Sequence, residues 1–303
     1  MRLEIDREDA GRRIDQLLSV VDGIGSRSAA ERLLRDDVVL VNGKPALKSH
    51  RMRSGDVVEI PDSVLAAPPK RSYSAAPVTV LLEDDDVIVV EKPAGMVVHP
   101  APGHKASTLV ELLADSGIGL APNEDPRLYR PGVVHRLDKD TSGVIMFAKT
   151  PEALRGLQRS LQERVARREY LSLVQGLVPS RAGRVEAPIG FDVREATKRS
   201  IDSDRPQEAV THFVVTEILP STTLLRLRLE TGRTHQIRVH LQAIGHPVIG
   251  DQVYGDGPAY GLNRQFLHAA RLTFPHPRTG EAVEVASPLP DVLQAALAEA
   301  RRA

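Results

Sequence analysis

Cysteine and tryptophan are absent from this 303-residue chain, and phenylalanine and tyrosine occur only five times each. Without thiols there is no disulfide, no thiolate metal site and no cysteine nucleophile, and a reducing cytoplasm suits the chain as well as any compartment. An aromatic share of 3% is too thin for a broad platform on which many bases stack. Net charge is missing too: 40 Lys and Arg balance 40 Asp and Glu. Nothing therefore attracts nucleic acid globally, and any such binding must come from local basic patches. No run approaches about 18 consecutive apolar residues, so no membrane-spanning helix is expected. The mixed-charge opening MRLEIDREDA lacks the apolar stretch of a signal peptide. The expectation is a soluble cytoplasmic protein of about two domains.

What is present begins with a small module, residues 1–60. Ile14, Leu17, Leu18 and Val21 recur at helical spacing. Ser26 can cap a second helix with Ala30, Leu33 and Leu34 on its apolar face. Val38 to Val41 and Val57 to Ile60 read as strands, and Asn42-Gly43 is a hairpin signal because both residues tolerate positive φ. Arg27, Arg32 and Arg35 share one side of the second helix, with Lys44, Lys48, Arg51 and Arg53 following. They read either as a phosphate-contacting surface or as a solvated face, since Glu31, Asp36 and Asp37 lie among them. Residues 61–77, rich in Pro, Ala and Ser without hydrophobic period, read as a linker.

The second domain, residues 78–303, alternates strands and helices. Val87 to Val90 is apolar throughout, as a strand covered on both faces would be. Met96 to Val98 resumes it after a Pro-Ala-Gly turn. Thr150-Pro151-Glu152 has the cap, first-turn proline and first-turn acid of a helix running to about Arg164. A strand from Tyr170 to Val174 follows. Phe191 to Gln207 is polar and charged, an exposed insertion or long hairpin that could touch RNA. Helices are expected over 235–244 and 291–302. His235 and His240 stand five apart, which separates them around a helix and argues against a shared zinc ion. No metal is expected.

The stretch RPGVVHRLDKDTSGVIMFAKT, residues 130–150, organises the rest. Apolar runs Val133-Val134 and Val144 to Ala148 flank a polar loop ending at Gly143, which reads as strand, loop, strand. Cationic Arg136 and Lys139 would favour the charged form of a carboxylate there. An isolated Asp in such a loop is usually a turn-former. Asp138-x-Asp140 also imitates a calcium loop, but the twelfth position is Lys149 where a Glu belongs. Asp138-x-Asp140-Thr141 further imitates the aspartyl-phosphate loop of Mg²⁺-dependent phosphatases. A protein that binds its partner without catalysis is a third possibility.

His135 to Gly143, HRLDKDTSG, resembles the signature loop of the large-subunit ribosomal RNA class of pseudouridine synthases. Lys92-Pro93-Ala94-Gly95, Arg168-Glu169-Tyr170, Thr231 to His240, Gly245-His246-Pro247 and Gly250-Asp251 resemble that family in its order. Residues 11–60 resemble an S-four-type RNA-binding domain through Arg13-Ile14-Asp15, Ser26-Arg27-Ser28, Val41-Asn42-Gly43 and Gly55-Asp56. The Asp36-Asp37 pair stands where that domain tends to have a glycine. The resemblance implies an α+β protein: the small RNA-binding domain, then a catalytic domain with a mixed, largely antiparallel sheet flanked by helices. It implies cofactor-free isomerisation of uridine in RNA, most of all large-subunit ribosomal RNA or its assembly precursor, by a monomer. Asp138 is the implied catalytic carboxylate, Arg233 its ion-pair partner, and Tyr170 the ring against the target uracil. Arg136 is implied to fill the gap left by a flipped nucleotide. His135, Arg27, Arg32, Lys44 and Arg238 are the further RNA-binding candidates.

Overall fold

The computed structural model describes residues 1–6, 9–19, 21, 24, 30, 33–61, 78–100, 107–122, 130–195 and 198–303. They fall into two compact units, the first within Met1–Ala75 and the second made of Ala76–Pro122 and Arg130–Ala303. The linker expected over 61–77 lies outside the described residues beyond Pro61, as do Ser26, Arg27 and Arg32.

The first unit contains β1 (Arg2–Glu4), α1 (Ile14–Ser19), β2 (Leu40–Val41), β3 (Lys44–Pro45) and β4 (Val57–Glu59). Its sheet has the antiparallel order β1-β4-β2-β3. Asn42 and Gly43 turn β2 into β3 with φ of 51° and 74°, as their pairing predicts. Ile14, Leu17, Leu18, Ala30 and Leu34 bury against Val41, Met52 and Val58 in one core. Asp15, fully buried, is held by two hydrogen bonds from Arg13 (3.0 and 2.8 Å). Lys44, Lys48, Arg51 and Arg53 are exposed.

The second unit is built on a nine-stranded sheet. Its strands are β5 (Thr79–Glu83), β6 (Val87–Lys92), β7 (Ser142–Ala148), β8 (Arg167–Gln175), β9 (Ala182–Glu186), β13 (Val210–Ile218), β14 (Thr222–Leu229), β15 (Leu267–Pro275) and β16 (Ala282–Ala286). The order is β5-β6-β7-β15-β8-β14-β13-β9, with β16 on β15. Only β7 and β15 run parallel; the other pairs are antiparallel. This is the mixed, largely antiparallel α+β arrangement expected. The segment from Phe191 is more than a hairpin: β10 (Ile189–Asp192), β11 (Arg199–Ser200) and β12 (Ser203–Gln207) form a separate sheet of order β11-β10-β12.

The helices are α2 (Leu109–Asp115), α3 (Pro151–Gln162), α4 (Gln236–Ala243) and α5 (Asp291–Ala300). Thr150 caps α3 by accepting from the Ala153 N–H at 3.2 Å, with Pro151 in the first turn. Every residue of β7 is buried, so its run of Val144 to Ala148 is apolar because both faces are covered.

Two expected strands are not there. Val133-Val134 makes only an isolated bridge, Val133 to Phe147. Beside it the Ala148 N–H is spent on the Gly132 carbonyl and the Gly132 N–H on Ala121, so no further ladder forms. Met96 to Val98 also stays outside the sheet, although Met96 and Val98 are buried.

Candidate active site

The loop before β7 has no regular structure from Val134 to Asp138 and turns at Lys139-Asp140, with the Thr141 N–H donating to the Asp138 carbonyl at 3.1 Å. Its shape is imposed from several directions. Lys92, at the end of β6 and fully buried, donates from Nζ to the carbonyls of Pro93 (2.8 Å), Met96 (2.8 Å) and Lys139 (2.9 Å). The Gly95 N–H reaches the same Lys139 carbonyl at 2.9 Å. Arg264 donates to the Asp140 carbonyl at 2.9 Å, and Gln265 to Thr141 Oγ1 at 3.2 Å. Gly143 then enters the sheet with φ of 116°, and a Cβ there would lie 2.1 Å from the Ala269 carbonyl oxygen. Only glycine permits that approach of β7 to β15.

Burial pushes the Lys92 ammonium down to about 7 from its ordinary 10.5, against the opposing charges of Asp140 and Asp138. Its three hydrogen bonds match the three donors of an ammonium. The sign of the pH effect follows from linkage. Between pH about 7 and 10.5 the unfolded chain holds a proton that the folded chain has released, so stability rises with pH across that window. Below about 7 the cost of burying the charge is fully present. The urea midpoint of the second unit is therefore expected to climb from pH 7 to 9 by more than that of Lys92→Met. Each unit of separation is worth about 1.4 kcal/mol; parallel midpoints for the two proteins would contradict this.

Asp138 sits on this loop with its side chain 16% exposed, at a cleft lined also by Arg136, Arg168, Tyr170, Arg233, His235 and Arg238. The guanidinium that meets it belongs to Arg238, in the first turn of α4. Arg238 Nη1 donates to Asp138 Oδ2 at 3.3 Å, while its Nε and Nη2 grip the fully buried Asp251 at 2.6 and 2.8 Å. Burial alone would raise Asp251. The Arg238 hydrogen bonds and charge, with the Val253 and Tyr254 N–H groups, outweigh it and hold the carboxyl below its ordinary value. One arginine thus bridges a sealed carboxylate and a carboxylate facing the cleft, a fork-to-fork pairing on one side and a charged hydrogen bond on the other.

Arg233, expected to pair with Asp138, does not. It precedes α4, is exposed, and donates from Nε to the Glu208 carbonyl at 2.9 Å. The physical cause is Gln236. Its Oε1 accepts from the Thr231 hydroxyl (2.8 Å) and the Arg233 N–H (3.0 Å), and its Nε2 donates to Val210 O and Thr211 Oγ1, both at 3.0 Å. That clamp turns the 231–233 loop outward and starts the helix that carries Arg238 inward. Arg238 is consequently a buried ion-pair residue and not the RNA contact expected of it.

His135 also departs from its expected role at RNA. It is buried, its Nε2 accepts from the Met146 N–H at 3.3 Å, and burial, with the nearby charge of Arg168, pushes it down to about 3. Arg136 is exposed and lines the cleft. Tyr170 lies on β8, buried, and lines the same cleft as Asp138. Burial pushes its phenol up, so it is protonated at neutral pH and offers a ring face and an O–H.

Arg168, Asp251 and Lys92 complete the site in roles the letters did not assign. His235 and His240 point to different partners: Tyr254 Oη lies 2.9 Å from His235 Nδ1, and His240 is buried between Thr211 and the Ala187 carbonyl. Asp84, Asp86 and His276 are close enough to share a cation, but Arg278 already makes two hydrogen bonds to Asp86 and His276 faces Asp84 at 3.0 Å.

Two family descriptions match the sequence: RNA pseudouridylate synthase over residues 86–243 and S4 domain over 12–58. An uncharacterized RNA pseudouridine synthase of Bacillus subtilis, YlyB, is 41% identical over 286 residues, covering 94% of this chain and 92% of its own. The ribosomal large subunit pseudouridine synthase D of Haemophilus influenzae is 38% identical over 306 residues, covering 95% and 91%. Among solved structures, human RNA pseudouridylate synthase domain containing 1 shares 28% identity at a TM-score of 0.56, over 70% of this chain and 83% of that one.

Proposed function

We propose, from the premise that this chain belongs to the RNA pseudouridylate synthase family and isomerises uridine to pseudouridine in RNA, that its target lies in large-subunit ribosomal RNA or its assembly precursor and that Asp138 does the chemistry. The observation that carries the assignment of Asp138 is its pairing with Arg238 at the mouth of a cleft that also holds Tyr170. The ribosomal target is supported by relatives of the synthase D type that match nearly the whole chain.

The reaction breaks the bond from ribose C1′ to uracil N1, turns the base, and joins C5 to C1′. The hydrogen leaves C5 and N1 gains one, so the product is an isomer and no external electrons or groups are required. Cleavage builds positive charge at C1′, and a held carboxylate offsets it as in retaining glycosidases. Arg238, anchored by Asp251, fixes the direction in which the Asp138 oxygens face. Tyr170 presents its ring to the uracil. A uridine inside a helix reaches this cleft only by flipping out. Arg136, exposed and lining the cleft, enters the gap left in the helix.

The protein is read as a monomer acting in the cytoplasm, and the isomerisation needs no cofactor because no external electrons or groups enter it. Exposed Lys44, with Lys48, Arg51 and Arg53, gives the S4 domain phosphate-contacting groups. The phosphatase alternative needs its first Asp directly after a buried strand, and residues 134–138 form none. Mapping pseudouridines in ribosomal RNA from a deletion strain is expected to show one or a few sites missing from the large subunit. They should return with the unsubstituted gene and not with Asp138→Asn. A complete set of large-subunit pseudouridines in the deletion strain would overturn the ribosomal target.

A further inference from the structure

Beside the catalytic cleft lies a larger cavity of about 350 Å³, between the β10-β11-β12 sheet and the loop that carries Arg233. The two spaces share Gly232, Arg233 and Thr234 as lining. Arg199, Arg205 and Arg233 line the second one, and no carboxylate does. Arg205 is almost fully exposed, 3.9 Å from Asp204. Arg233 spends one N–H on a carbonyl and has no carboxylate partner among the described residues.

Phe191 stands out within this chain. The other four phenylalanines are at most 7% exposed, whereas Phe191 is 51% exposed on the wall of the cavity. Its ring is already half of a stack. Arg199, its cross-strand neighbour, places its guanidinium 3.5 Å from the ring centroid. The platform is held at two points. Gly190, whose Cβ would lie 2.2 Å from the Asp204 carbonyl oxygen, lets β10 press against β12. The Arg199 N–H donates at 2.9 Å to Tyr254 Oη. Tyr254 in turn contacts His235 and lies under the Arg238 guanidinium, 4.9 Å from the ring centroid. A planar stack, three cations and continuity with the uridine cleft are what a nucleotide requires.

We infer that this cavity is a second nucleotide subsite: it takes the base adjacent to the flipped uridine, layered on the Arg199–Phe191 stack, with flanking phosphates on Arg233 and Arg205. The inference rests on the synthase reading above. Its occupant is RNA, because the lining offers cations and a stacking surface and no acceptor set suited to a basic partner.

The test uses the full-length protein and a transcript of large-subunit ribosomal RNA in which it forms pseudouridine, with filter-binding Kd measured over a range of KCl. Phe191→Ala is expected to raise Kd about tenfold, a typical stacking loss, with the salt slope unchanged. Phe191→Trp keeps a stacking face and should stay within about threefold. Arg205→Ala should lower the salt slope by about one. In short RNAs with an abasic residue on either side of the target, one of the two flanks should cost what Phe191→Ala costs and add nothing to it. A Kd for Phe191→Ala within about twofold of the unsubstituted protein, equal losses for Ala and Trp, or additive losses with both abasic RNAs would overturn the subsite. Failure of the underlying reading looks different: RNA that binds tightly and is never isomerised by the unsubstituted protein.

Discussion

Arg238→Met is expected to slow isomerisation at saturating RNA by about 10³-fold, and Arg238→Lys by about 10²-fold, in the range for removing a preorganised charged donor from an active site. The side chain is 7% exposed and touches two carboxylates, one of them sealed. Methionine leaves Asp251 buried with only the Val253 and Tyr254 N–H groups and frees Asp138 to turn. Breaking such a pair costs about 3–5 kcal/mol, so the urea midpoint should fall as well, and rates must be read well below it. Lysine keeps the charge but is a point donor that cannot grip two carboxylates in one plane. Arg233→Met should instead act chiefly on RNA affinity. Single-turnover rates and filter-binding constants for the three variants check this. A larger loss of saturated rate in Arg233→Met than in Arg238→Met would reverse the assignment.

Asp138→Asn is expected to reduce pseudouridine formation by at least about 10⁴-fold, as when a group acting as part of a catalytic unit is removed. The amide is nearly isosteric and can still accept the 3.3 Å hydrogen bond from Arg238. The loop is held by Lys92, Gly95, Arg264 and Gln265 through its backbone and Thr141, none of which needs the carboxylate. The variant should therefore fold and bind the transcript with a Kd within about threefold of the unsubstituted value, since phosphate contacts dominate affinity. What it lacks is the negative charge opposite C1′. Filter binding and pseudouridine quantification on one preparation separate the two effects.

The architecture was legible where local chemistry decides. Asn42-Gly43 specifies its hairpin, Thr150-Pro151 starts α3, and the apolar run of β6 announces a strand covered on both sides. Asp138 and Tyr170 were legible from the motifs they sit in, and the structure brings both to one cleft. Which arginine of the decapeptide Thr231 to His240 faces Asp138 was not. That depends on where α4 begins, which the Gln236 side chain sets through contacts to β13, far away in sequence. His135 misled for a similar reason: its neighbour Arg136 is exposed, while His135 turns inward to the backbone of β7. Lys92 was legible only as the first residue of Lys92-Pro93-Ala94-Gly95, because nothing in its letters shows three carbonyls converging on one ammonium. Each miss involves a partner supplied by a distant element.

The most direct test follows the hydrogen that the new C1′–C5 bond displaces. RNA tritiated at uracil C5 is mixed with excess protein and tritium release to water is followed through one turnover. The unsubstituted protein should release tritium from its target uridine, and Asp138→Asn, with the same RNA fully bound, should release none above background. Release by Asp138→Asn at close to the unsubstituted rate would contradict the claim that this carboxylate opens the glycosidic bond.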